Sequence, residues 1–128
     1  MLQDHLRELE RNLETTLKTS PTEHGVFTFE VDDEITITFH DLEEGSYITC
    51  KLCETPDRNR EDIFIMLSEL NLLGEGSYGS VFGLTEDSKH ITMNHLIEYD
   101  VAYPQFYEIV EDFVNLAKIT LEDIQTKL

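Results

Sequence analysis

The residues whose spacing most invites chemistry are glycines. Gly74, Gly76 and Gly79, with Val81 behind them, fit G-x-G-x-x-G-x-V, the spacing of the phosphate-covering loop of protein kinases. That chemistry would be nucleotide binding, with backbone N–H groups brought close to phosphate oxygens. The surroundings argue against it. A kinase glycine loop joins two strands, and a dinucleotide loop runs from a strand into a helix. Here the glycines follow Glu61 to Leu70, where Ile63, Phe64, Met66, Leu67 and Leu70 recur at helical spacing. No Val-Ala-Ile-Lys strand, His-Arg-Asp loop or Asp-Phe-Gly follows. The only cation close by is Lys89, set among Glu75, Glu86 and Asp87. The glycines read instead as a helix exit, with Gly74 capping the helix and Gly76 and Gly79 permitting a sharp turn into a strand.

The other reactive side chains offer less. Cys50 and Cys53 are the only cysteines, in Cys-Lys-Leu-Cys. A redox pair sits at a helix N-terminus, and a zinc site needs two further ligands in range. These two lie in a predicted strand, where residues three apart point to opposite faces, so two reduced thiols are expected. Of His5, His24, His40, His90 and His95, no two stand at i, i+4 on a helix and none lies beside a cysteine. There is no G-x-S-x-G elbow, and carboxylates are too abundant for any pair to be informative. The sequence therefore predicts no catalytic residue, no metal site and no cofactor.

Charge sets the class of partner. Nine basic residues against 27 acidic ones leave a net charge of −18 in 128 residues. Such a field repels phosphate backbones and anionic lipid, which argues against nucleic acid and membrane surfaces as partners. Neither a signal peptide nor a membrane span is evident, since Met1 to Leu17 is studded with charge, and a cytosolic protein is expected. The length fits one domain over residues 1–128, able to bury about two-thirds of its unfolded surface.

The elements follow from periodicity. Leu2, Leu6, Leu9, Leu13 and Leu17 form a narrow stripe between charged residues, an amphipathic helix ending before Ser20-Pro21. Val26 to Val31 and Ile35 to Phe39 alternate, with Asp32-Asp33 in the short stretch between them, and predict a tight hairpin. Glu43-Glu44-Gly45 turns the chain into a third strand, Tyr47 to Cys53. Thr55-Pro56-Asp57 looks like a helix start, with Thr55 as N-cap and Pro56 in the first turn. That second helix runs to about Leu70 with an apolar stripe wide enough for two contact surfaces. Ser77 to Leu84 and His90 to Ile97 read as two strands joined around Glu86-Asp87-Ser88. Tyr103-Pro104 opens a last helix lined by Phe106, Val110, Phe113, Val114, Leu121 and Ile124. The order is α-β-β-β-α-β-β-α, an α+β domain with a twisted antiparallel sheet flanked by helices.

Size, acidity and element order together bring a family into view. The chain resembles the small acidic class I chaperones of bacterial type III secretion, the Tir-chaperone or CesT-like group. The likeness is carried by Asn71-Leu-Leu-Gly after the second helix, the small-residue strand ending Phe82-Gly-Leu84, the strand Ile91-Thr-Met-Asn-His-Leu96, and Phe106, Val110, Phe113 and Val114 in the last helix. The Cys50/Cys53 pair is a departure from that pattern.

The resemblance implies a non-enzymatic, ATP-independent chaperone, dimeric and cytosolic, in a secreting bacterium, with a part in virulence. Its partner would be a secreted effector whose N-terminal segment wraps around the dimer, largely extended. Family dimers use the second helix and the strand after it, which here means Ile63, Phe64, Met66, Leu67, Leu70, Tyr78, Val81 and Phe82. For the effector, the first helix and the meander supply Leu2, Leu6, Leu9, Phe27, Phe29, Ile35, Ile37 and Phe39, of which fewer than half are expected to touch a partner. Two other roles remain open in the sequence. One is a subunit of a heterodimeric chaperone, or a regulator that binds a paralogue. The other is a nucleotide-binding regulator using the Gly74–Gly79 loop.

Overall fold

A computed structural model gives the fold and describes residues 2–13, 18–19, 25–31, 34–42, 44–73, 79–98 and 100–128. The chain folds as α1 (Leu2–Leu13), β1 (Lys18–Thr19), β2 (Val26–Glu30), β3 (Thr36–Leu42), β4 (Gly45–Glu54), α2 (Arg60–Leu73), β5 (Val81–Leu84), β6 (His90–Glu98) and α3 (Tyr103–Thr126). The strands make one antiparallel sheet in the order β1-β2-β3-β4-β6-β5. The predicted α+β order is observed, with the two-residue β1 added at one edge.

Alternation along the strands decides which side carries the core. Phe27 pairs with Phe39, Phe29 with Ile37, Ile37 with Cys50 and Cys50 with Met93, so one face is apolar across four strands. Direct partners on the other face are Thr28 with Thr38 and Thr38 with Thr49, all short and polar. Helices α1 and α3 bury Leu2, Leu6, Leu9, Phe106, Val110 and Phe113 in one cluster with the apolar face. Phe29, Phe39 and Phe106 form its aromatic centre, with Phe29 and Phe39 meeting edge to face at 5.7 Å. α1 is tied to the start of α3 by His5 Nε2 against the Val101 carbonyl at 2.7 Å.

Three local expectations change. The β2–β3 connection is longer than two residues, because pairing stops at Glu30–Thr36 and Val31 N–H donates to the Ile35 carbonyl. α2 begins at Arg60 rather than beside Thr55. The Thr55 N–H and hydroxyl are committed elsewhere, to the carbonyls of Lys89 and Ser88 at 2.7 Å each. Asn59 then takes a positive φ of 53°, which a continuous helix cannot pass through, and its carbonyl accepts the Ile63 N–H that opens α2. Thr55 therefore clips the exit of β4 to the β5–β6 turn instead of capping a helix.

The third change concerns the cysteines. Lys51 faces Thr92 but Cys53 faces Ile91, so Leu52 is an extra residue, a β-bulge. The bulge resets the alternation and places Cys53 opposite a core residue, on the same face as Cys50. The expectation of opposite faces assumed an unbroken strand. Both thiols are free. Cys50 is buried, and burial pushes its thiol up to about 11; Cys53 is half-buried and raised for the same reason, with Glu54 adding to it. Neither has the depressed pKa of a redox cysteine.

Candidate partner-binding surface

The surface that stands out is built by α2 and β5. The run Ile63-Phe64-Ile65-Met66-Leu67 puts apolar side chains around most of the helix rather than along one stripe. Ile63 and Leu67 point into the core; Phe64, Met66 and Leu70 are partly buried at its margin. Ile65 is 50% exposed and Leu72 86% exposed, on the side away from the core. On the edge strand β5, Phe82 is buried while Val81 and Leu84 are open, Val81 at 55%. A shallow groove lined by Phe64, Ile65, Ser68 and Leu72 runs along α2, with Arg60, Glu61 and Glu69 at its borders.

A side chain fixes how the helix sits on the strand. The Asn71 carboxamide accepts the Phe82 N–H at 2.7 Å and donates to the Phe82 carbonyl at 2.8 Å. At the start of β5, Gly79 has φ +88°, and a Cβ there would stand 3.3 Å from His95 Cε1. The next residue, Ser80, is buried, with its hydroxyl 3.1 Å from His95 Nδ1. Gly79 is thus required twice, for its backbone and for its closeness to the imidazole. Gly74 and Gly76 lie outside the described residues. The glycine-bearing connection leads from a helix, α2, into a strand, β5, which is neither the kinase nor the dinucleotide arrangement.

The residues expected at the dimer contact divide. Ile63, Leu67 and Phe82 are core; Phe64, Met66 and Leu70 bridge core and surface; Val81 is open. Tyr78 lies outside the described residues. The residues assigned to the effector fare differently. Leu2, Leu6, Leu9, Phe27, Phe29, Ile35, Ile37 and Phe39 are all buried within the chain, most of them fully. Their alternation and stripe mark the face on which α1 and α3 meet the sheet, so these side chains are spent on the core. Ile65, Leu72 and Leu84 are exposed apolar residues that stand outside the expected contact set. The signal for Ile65 was present: an unbroken apolar run five residues long cannot all face one side of a helix. Among the described residues, no group of three or more His, Cys, Asp or Glu is placed to hold a metal ion, and no helix is long and apolar enough to cross a membrane.

This geometry can be set beside known proteins. The profile of the Tir chaperone protein (CesT) family matches residues 5–121. The chain belongs to the CesT family. No curated protein matches the CesT-family chain in sequence. In structure it is similar to a chain of the ExsC–ExsE complex, with TM-score 0.77 and 16% identity, covering 94% of this chain and 91% of that one. It is also similar to a chain of the HopA1–SchA chaperone–effector complex, with TM-score 0.72, 18% identity and coverage of 94% and 93%. A third is a chain of the complex between SycH, a Yersinia pestis type III secretion chaperone, and a stable fragment of YscM2: TM-score 0.69, 15% identity, coverage 94% and 99%. At these identities the likeness to the solved structures is one of fold.

Proposed function

We propose that this CesT-family chain is an ATP-independent secretion chaperone of the bacterial cytosol. It binds the N-terminal segment of one or a few exported effectors and keeps that segment extended and fit for export. The observation that carries the reading is an apolar surface on α2 and β5 in a chain whose family is one of chaperones. Ile65, Leu72 and Val81 stand in water at a cost of roughly 25 cal/mol per Å² of apolar area, which a covering partner removes.

On this reading the surface joins two copies. Leu72 and Ile65 on α2 and Val81 on β5 form the contact, and Phe64, Met66 and Leu70 complete it from beneath. Binding and shielding need no bond to be broken, so the chain works without turnover and without a nucleotide. The charge of −18 keeps such a dimer soluble while an effector segment is held. The effector meets surface outside the eight core residues, because those side chains are already covered.

The test is purification of the tagged chain from the secreting cell, with bound proteins identified by mass spectrometry and the mass of the complex measured by light scattering. Two copies with one exported protein, held through its N-terminal segment in the absence of ATP, is the expected result. Recovery of only a similar-sized acidic paralogue would replace the homodimer by a heterodimer. Turnover of a nucleotide by the pure chain would overturn the reading.

A further inference from the structure

A second apolar surface lies away from α2. β5 pairs with β6 only over Asn94 to Ile91, so among the described residues the end of β6, His95 to Glu98, has no strand beside it on that side. α3 passes there instead, leaving a groove of about 420 Å³. Its apolar lining is Leu96, Val101 and Ile109, and Leu96 is 71% exposed. Spacings of seven and three keep Ile109, Leu116 and Ile119 on one side of α3. Ile119 is 56% exposed about 15 Å beyond Ile109 along α3 at 1.5 Å per residue, but Leu116 between them is buried in the core, so the apolar lining of the groove itself ends at Ile109.

The rim of the groove is acidic. Glu98 stands at the end of β6, and Glu108 and Asp112 on α3. No lysine or arginine lines it. An apolar strip bordered by three carboxylates selects its occupant by charge. Nucleic acid or anionic lipid would meet repulsion at this rim. A peptide with apolar residues flanked by lysine or arginine would bury Leu96 and neutralise the rim together.

We propose that the groove between the end of β6 and α3 docks a segment of a partner protein in which leucine-like residues alternate with lysine or arginine. The inference deepens the chaperone reading and rests on it, naming the chemistry of the partner segment. The α2–β5 surface joins copies, and the β6–α3 groove takes the basic, apolar segment.

The test uses two short synthetic peptides with the same leucine spacing, one carrying lysine and the other glutamate, titrated into the isotope-labelled full chain. The lysine peptide is expected to shift the backbone amides of His95–Glu98 and Gln105–Asp112, and its affinity should fall steeply with added salt. Glu108→Lys with Asp112→Lys, both exposed, should weaken it by about tenfold or more, and Leu96→Ser should weaken it with the charges intact. Equal binding of the glutamate peptide, shifts confined to α2 and β5, or unchanged affinity in the charge-reversed chain would each overturn the proposal. A change of oligomeric state in Leu96→Ser would also overturn it, making the groove a contact between copies. The two readings fail separately. An effector retained undiminished by the charge-reversed chain removes the groove and leaves the chaperone. Lysine-peptide binding without any exported client removes the chaperone and leaves the groove.

Discussion

Asn71 stands in for a β-strand beside Phe82. Its carboxamide takes both the N–H and the carbonyl of that residue, at 2.7 and 2.8 Å, as a neighbouring backbone would. An edge strand with open backbone groups is a template for unwanted pairing. Here one side chain at the end of α2 closes that position of the edge and holds the helix at a fixed height on the sheet. The apolar surface on α2 and β5 depends on this register, because it sets Phe64 and Ser68 on α2 beside Gly83 and Leu84 on β5.

Asn71→Ala should therefore loosen the edge as well as lower stability. Two hydrogen bonds are lost and the part-buried Phe82 groups are left without partners, a cost of about 1–3 kcal/mol. Thermal unfolding should shift down by several degrees, and the Phe82 amide should exchange with solvent much faster. Asn71→Asp keeps the acceptor but loses the donor, so it should recover only part of the loss. Unchanged Phe82 exchange in Asn71→Ala would show that the clamp does not hold the edge.

Ile65→Asp with Leu72→Asp tests the proposed contact between copies. Both side chains are largely outside the core, so far-UV dichroism and the fold of the single chain should be unaffected. Two buried charges in an apolar contact are expected to raise the dimer dissociation constant by at least about a hundredfold. Light scattering at micromolar concentration should then report one chain where the parent gives two. A double variant that stays dimeric places the contact elsewhere.

The outcome for these residues shows where sequence pattern stops being informative. Alternation in Phe27, Phe29, Ile37 and Phe39 specified an apolar sheet face, and the stripe Leu2, Leu6, Leu9 specified an apolar helix face. Pattern alone does not say what covers a face, and here the two faces cover each other with α3. The start of α2 departs from its local signal for a similar reason. Thr55-Pro56 carries a local helix-start signal, but a tertiary tie to Ser88 and Lys89 outweighs it. The bulge at Leu52 left no mark in composition, because it is a register shift between β4 and β6, and it alone reorients Cys53. Ile63 to Leu70 is helical as its spacing predicts, because the apolar positions are dense enough to require it.

Cys50 predicts both a reactivity and a pH dependence. The buried thiol, raised to about 11 from 9.0, should resist alkylation at neutral pH until the chain unfolds. The folded chain keeps the proton where the unfolded chain releases it. The resulting stability is fully present below pH 9.0 and is lost as pH rises towards about 11, amounting to about 2–3 kcal/mol. Cys50→Ala should remove this part of the alkaline decline, whatever it costs in packing. Urea midpoints measured from pH 8 to pH 11 on parent and variant compare the slopes. Parallel slopes would mean the thiolate is tolerated in the core.

His95 predicts the opposite sign at the acid side. It is half-buried between β6 and the start of β5, and desolvation holds its pKa below the ordinary 6.5. The unfolded chain takes up a proton near pH 6.5 while the folded chain resists, so the contribution is fully present above that pH and declines as pH falls through it. Protonation would place a cation beside buried Ser80, at the point where the chain enters β5. Acidification should therefore loosen β5 before the sheet as a whole, with Val81 and Phe82 amides losing exchange protection first. His95→Gln keeps a polar group near Ser80 without a titrating ring, and should flatten the stability profile between pH 7 and pH 5. Glu98, Glu108 and Asp112 line the adjoining groove together with His95. Amide exchange at the two pH values decides it: uniform loss of protection across the sheet, with no difference between parent and His95→Gln, would show that His95 is not the source of the acid sensitivity.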